Sequence, residues 1–354
     1  MEKIDSFFYD SIDLLKQMIA IPSHSKEEGL VADILQNYIQ NRGLTPQRKG
    51  NNIWSISPDF DSNKPTILLN SHIDTVKPVA GWTVNPYEPI EEGNKLIGLG
   101  SNDAGASVVS LLHAFMMLIQ KEQTNNFIFL ASCEEEISGK NGVESVLQDL
   151  PPIAFGLVGE PTNMNPAIAE KGLMVLDCFV YGVSGHAARA EGQNAIYKAI
   201  PVINWFQTYE FPKYSDLLGK VKMSVTMIQS GTQHNVIPDL CTFVVDVRSN
   251  ECYSNIELFD IIAQNCGCEI KARSVRLNSS GVSLDHPVVQ RAILLGREPF
   301  GSPTLSDQAL MPFPTLKIGP GDSSRSHSAN EFIGTQEIRE AIDMYVRLMD
   351  GLNV

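Results

Sequence analysis

No stretch of the 354-residue chain stays apolar for the roughly 20 residues that a membrane-spanning helix needs. A basic surface is missing as well. The 27 lysines and arginines face 41 aspartates and glutamates, a net charge of −14, which argues against nucleic acid or an anionic membrane as partner. Paired C-x-x-C spacing is absent. Cys133, Cys178, Cys241, Cys252, Cys266 and Cys268 are scattered, so neither a zinc knuckle nor a disulfide framework is indicated, and six reduced thiols are expected. The opening Met1-Glu2-Lys3-Ile4-Asp5 lacks the basic start and apolar core of a signal peptide, which makes the expected location cytoplasmic. What is present is a globular composition, 43% hydrophobic and 19% charged, long enough for one large domain or two ordinary ones.

Helical periodicity runs through residues 5–20 and 27–42. Short apolar runs at 66–70, 127–132 and 155–158 have strand length, and a long helical segment, 106–120, separates the first two. Apolar strands interleaved with helices predict a mainly parallel sheet covered on both faces. From about residue 173 the texture changes. Strand patterns at 173–183, 221–229, 241–248 and 269–275 alternate with helical patterns at 194–207 and 255–265, a βαββαβ order like that of a ferredoxin-like unit. The expected organisation is an α/β domain over 1–172 and 278–354, interrupted by a smaller domain over 173–277. Helical text returns at 287–295 and 336–349.

Chemistry gathers at the ends of the apolar runs. His72 follows the first, Glu134-Glu135-Glu136 the second and Glu160 the third, while Asp103 stands just before the long helix. In sheets of this kind ligands bind beyond the carboxyl ends of the strands. Imidazoles and carboxylates together suit zinc, cobalt or manganese, and two such ions about 3.5–4 Å apart can share one water and polarise a carbonyl. An acid that orients a ligand histidine is also required, and Asp74, two residues after His72, fits if both share a strand face. A lone histidine is more often a satisfied polar residue. That reading stands for His24 and His286 as loop residues and for His113 as a packed or backbone-bonded residue in a helix.

The set His72-x-Asp74, Asn102-Asp103, Glu134-Glu135-Glu136, Gly159-Glu160-Pro161 and Ser326-His327-Ser328-Ala329-Asn330-Glu331 resembles, in order, the motifs of the M20 metallopeptidase and deacylase family. The resemblance covers nearly the whole chain. It implies a zinc-peptidase-like catalytic domain with an inserted lid and dimerisation domain, hence a homodimer. It further implies two Zn²⁺ ions, with Co²⁺ or Mn²⁺ as substitutes. Asp103 would bridge them, His72 and Glu160 would complete one shell, and Glu136 and His327 the other. Glu135 would be the general base. A second register, with Glu134 as base and Glu135 as ligand, stays open; adjacent residues of an extended chain point opposite ways, so only one of the two can hold.

His186 resembles the family histidine that binds the tetrahedral oxyanion in a partner's site. Asn235 and Arg248 also resemble family elements. Arg248 could bind a substrate carboxylate or merely brace Asp246. The activity implied is removal of an acetyl or succinyl group from an N-acyl amino acid such as N-acetylornithine or an N-acylcitrulline, in arginine biosynthesis. Succinyl-diaminopimelate desuccinylase and M20 dipeptidase or carboxypeptidase activities are the alternatives. A non-catalytic metal or amino-acid binder is disfavoured, since it has no need of a free base.

Overall fold

The structure is a computed structural model that describes residues 2–189 and 191–353. The chain divides into two compact units. One comprises Met1–Ile168, Gly281–Phe300 and Ser306–Val354; the other comprises Ala169–Ser280 and Gly301–Leu305. The short segment Gly301–Leu305 groups with the second unit although it lies far from it in the sequence. Among the described residues no helix is long and apolar enough to cross a membrane.

In the first unit the central sheet runs, across its width, through strands Gln47–Lys49, Asn52–Ile56, Asn126–Ser132, Thr66–His72, Phe155–Val158 and Thr315–Lys317. The first two pairings are antiparallel and the next three parallel. Thr66–His72 and Asn126–Ser132 are buried at every residue, because both sheet faces are covered. The side chains divide by their period of two. Ile67, Leu69, Phe127, Phe129 and Leu157 meet helices Glu2–Ile19, Ala106–Leu118 and Thr335–Met349 through Leu15, Phe115 and Tyr345. Leu68, Ile128, Leu130 and Val158 bury against Val143, Val146 and Met311 on the other face. Ala106–Leu118 is hydrophobic almost all round, as a helix between a sheet and further helices must be.

The second unit is a four-stranded antiparallel sheet. Its strands lie in the order Lys222–Ser230, Leu240–Ser249, Gly172–Tyr181, Glu269–Ala272. Helices Ala195–Thr208 and Asn255–Asn265 complete the βαββαβ order. Strict alternation of buried and half-buried residues in Gly172–Tyr181 and Leu240–Ser249 fixes one face against the helices, through Leu176, Cys178, Phe243 and Val245. A Ser254–Glu257 capping box starts the second helix.

All six cysteines are free thiols, including Cys266 and Cys268, whose sulfurs lie 3.7 Å apart. Asn52–Ile56 and Thr315–Lys317 were not foreseen as strands. At five and three residues they are too short to carry a periodic signal. His286 lies in the bend that precedes a helix, as a loop residue with a polar partner. It is the N-cap of helix Pro287–Leu294, accepting from Val288 N–H, and its ring stacks on Phe155 at 4.6 Å.

His113 is fully buried and held at both nitrogens, 2.7 Å from the Val109 carbonyl and 2.7 Å from the Tyr38 hydroxyl. Burial pushes its imidazole down to about 4; the Val109 bond opposes this, and the Arg42 charge adds to it. The unfolded chain therefore takes up this proton first as pH falls below 6.5, and the folded chain follows only near pH 4. Stability contributed by neutral His113 is present above pH 6.5 and lost across that window, by about 3 kcal/mol at 1.36 kcal/mol per unit. Denaturant melts from pH 7 to pH 4 should show the stability gap between wild type and His113→Gln closing by about that amount.

Candidate active site

The carboxyl edge of the parallel strands brings together most of the residues singled out from sequence. His72 ends its strand with its ring buried, Nδ1 lying 2.9 Å from the Asp74 carbonyl. That leaves Nε2 facing Asp103 at 3.2 Å, Glu160 at 3.6 Å and Glu135 at 3.9 Å. His327 approaches from the C-terminal part of the chain, its Nε2 3.1 Å from Glu136 and 3.6 Å from the second oxygen of Asp103. Two groups result. One is His72, Asp103 and Glu160; the other is Asp103, Glu136 and His327, with donor atoms in each within 4.8 Å of one another. Asp103 belongs to both. Glu135 lies beside them and belongs to neither.

The three consecutive glutamates separate as the geometry of a tight turn requires. Glu134 adopts a left-handed backbone (φ 56°), and its buried carboxylate accepts from the Asn141 side chain at 2.9 Å. A Cβ on Gly139 would stand 1.9 Å from a Glu134 oxygen, so that glycine makes room for the carboxylate. The carboxylates of Glu135 and Glu136 instead face the histidines. Of the two registers left open by the sequence, the geometry brings Glu135 and Glu136 to the cluster and leaves Glu134 outside it.

The Asp74 carboxylate stands 3.5 Å from His72 Nδ1, and that nitrogen lies closer still, at 2.9 Å, to the Asp74 carbonyl. The carboxylate accepts from the backbone N–H groups of Glu135 (3.0 Å) and Glu136 (3.1 Å) and from the Ser25 hydroxyl (2.7 Å). It is an anchor for the glutamate turn. Glu331 plays a parallel part across the site, accepting from the N–H groups of Gly100, Asn102 and Asp103 at 3.1, 2.8 and 2.9 Å. Asn102 in turn donates to the Asp322 carbonyl and to Ser326, tying the Asp103 turn to the segment that carries His327. No role was read from sequence for Ser25 or Glu331. The one available signal was position, four residues after His327 for Glu331.

So many acids in one place perturb one another. Burial lifts Glu135 well above the usual carboxylate range, His72 opposes this, and Glu160, Asp307 and Glu136 push it further up. Burial raises Glu160 to about 8, against His72 and with Asp103. The hydrogen bond to Glu136 holds His327 at about 9 despite partial burial. For His72, burial alone would lower the imidazole, but Glu135, Asp103, Asp74 and Glu160 hold it well above its ordinary value. An excess of carboxylate over imidazole, with oxygens and nitrogens converging at ligand spacing, is a donor set suited to divalent cations.

The remaining candidates lie in the second unit. His186 is exposed, paired with Val236 in a two-residue ladder, and its Nδ1 accepts from Ala188 N–H at 3.1 Å. Asn235 is its neighbour, its carbonyl accepting from Ala187 N–H. Arg248 is clamped on Asp246 through two bonds of 2.8 and 3.1 Å, the bracing arrangement rather than a free guanidinium.

The model of peptidase family M20/M25/M40 matches residues 68–351. A succinyl-diaminopimelate desuccinylase of Corynebacterium glutamicum is 27% identical over 94% of this chain and 94% of its own length. An acetylornithine deacetylase of Proteus mirabilis is 25% identical over 96% of each chain. A dinuclear metal binding peptidase from the M20 family, the YXEP protein of Bacillus subtilis, superposes with a TM-score of 0.75 over 98% of both chains at 16% identity, a likeness of fold. With its sheet, its two donor groups and its motifs in this order, the chain belongs to peptidase family M20/M25/M40 and is a hydrolase of that metal-dependent family.

Proposed function

We propose that the protein is a two-metal amidohydrolase that removes an acetyl or succinyl group from the nitrogen of an amino acid. The observation that carries this reading is the pair of donor groups sharing Asp103, with Glu135 adjacent and outside both. The residues present fit two divalent ions, Zn²⁺ first by donor chemistry and Co²⁺ or Mn²⁺ as substitutes, with His72 and Glu160 on one side and Glu136 and His327 on the other. Ions held there supply a Lewis acid that polarises a scissile carbonyl and makes water acidic at neutral pH.

The chain's own residues do the rest. Asp74 and Ser25 hold the backbone of the glutamate turn, which fixes where the Glu135 carboxylate points. Glu135 takes a proton from the attacking water and delivers it to the departing amine nitrogen, a role suited to a carboxyl whose proton affinity burial has raised. His186 donates to the oxyanion that forms at the attacked carbon, acting from the second subunit of a homodimer in the manner of the family histidine. Arg248, held by Asp246, keeps its fork in one orientation, and Asn235 lines the same loop region as His186. Among amino-acid substrates we favour N-acetylornithine or an N-acylcitrulline, as in arginine biosynthesis. The named relatives include both a deacetylase and a desuccinylase, so N-succinyl-diaminopimelate is the second reading.

A turnover panel of N-acetyl and N-succinyl ornithine, citrulline and diaminopimelate tests the substrate class. Hydrolysis of one or more of these is expected, and cleavage of dipeptides alone would replace the deacylase reading by a peptidase. Glu135→Gln should lower kcat by at least about 10²-fold while metal analysis still finds both equivalents, whereas Asp103→Asn should lose metal from both positions. Mixed dimers of Glu135→Gln and His186→Ala subunits should recover part of the wild-type rate. Verified mixed dimers without recovery would remove the cross-subunit role.

A further inference from the structure

A charged side chain is costly to bury unless opposite charge or hydrogen bonds surround it. Lys317 is 2% exposed and, among the described residues, is the one buried lysine or arginine. It ends the strand Thr315–Lys317, where its register partner is Val158, two residues before Glu160. On the other side of Val158, in the same row, stands Asn70. Partners in parallel strands share a face, so Asn70, Val158 and Lys317 lie together on the face that buries Leu68 and Leu130.

The polar row continues from Asn70. Its amide donates to the Ser132 hydroxyl at 2.9 Å, and that hydroxyl donates to the buried carboxylate of Asp307 at 2.6 Å. An ammonium, a carboxylate, an amide and a hydroxyl thus stand on a face otherwise filled by aliphatic side chains, just below the donor groups. Lys317 is thus a buried charge one strand away from the chain that carries Glu160 and two residues short of it, a separation over which charges interact strongly when water is excluded.

We propose that Lys317 is a positioning residue for the metal site, a resident counter-charge that steadies the Glu160 side of the carboxylate cluster without metal and weakens the grip on a divalent ion once one is bound. This rests on the two-metal reading above. The physics is that of a fixed positive charge. It offsets carboxylate repulsion in the metal-free protein and repels a dication in the loaded one, so it narrows the stability difference between the two states.

The test uses the full chain as wild type, Lys317→Met and Lys317→Arg, each stripped with chelator and then titrated with Zn²⁺. Thermal midpoints are read with and without zinc, and zinc affinity is read by competition with a chromophoric chelator. Lys317→Met should lower the metal-free midpoint more than the zinc-loaded one and bind zinc on the order of tenfold or more tightly. Lys317→Arg, which keeps the charge, should follow wild type. Equal losses in both states with unchanged affinity would overturn the proposal, as would an arginine variant that behaves like the methionine one. A Lys317→Met chain insoluble with zinc as well as without it, beside a folded Lys317→Arg, also assigns a structural role and overturns it. A wild type that takes up no zinc is a different failure, visible before any variant is made. It removes the two-metal reading, and the proposal with it.

Discussion

Like charges resist confinement, and this protein confines Asp74, Asp103, Glu135, Glu136, Glu160 and Glu331 around one edge of a buried sheet, with two imidazoles among them. Much of the surrounding architecture answers that repulsion. Asp74 and Glu331 are satisfied by backbone N–H groups and lock the two turns that present the other acids. His72 and His327 hold protons more tightly than free imidazoles because carboxylates surround them. Glu160 and Glu331 are each lifted to about 8 by burial, and nearby Asp103 adds to the lift. The remaining negative charge of the cluster is what a dication would relieve.

Positioning costs backbone strain as well as charge. Glu134, Ser138, His327 and Asn330 all adopt left-handed backbone angles without being glycine, and all four lie in the two segments that carry donor or base residues. Such conformations persist where the surroundings over-determine them. Here the determinants are visible. Glu134 is fixed by Asn141 and by the space above Gly139, while Asn330 accepts from the backbone and hydroxyl of Thr83. Rigid strands set the distances between donors, and strained, well-bonded turns set their directions.

The sequence was most legible where physics is local. Continuous apolar runs marked the central strands because a sheet covered on both faces has no polar side, and the residues just beyond those runs were the ones that converge. Alternation marked the second unit's strands because one face is covered and the other is not. What stayed hidden depends on partners far away in the chain. Nothing local sets Lys317 apart from a solvent-facing lysine, yet it is buried together with Leu316 and Ile318. The Asp74 carboxylate stands beside its neighbour His72, but it also serves N–H groups more than 60 residues later, which its position in the sequence does not show. Glu331 reaches back 228 and 229 residues to the Asp103 turn. Spacing along the chain carries no information about such contacts.

The two donor groups differ in when they come into existence as the chain is synthesised. His72, Asp103 and Glu160 all precede the second unit, which begins at Ala169, whereas His327 follows it. A ribosome extending this chain has made all three residues of that donor group before it reaches Thr315–Lys317, the strand that lies beside Phe155–Val158. The group of Asp103, Glu136 and His327, the Glu331 brace on the Asp103 turn and the helix Thr335–Met349 that covers the sheet all wait for residues 327–349. The order of the gene therefore separates the two donor groups in time: the residues of one are all made before the second unit, and the other lacks its histidine until that unit has been made.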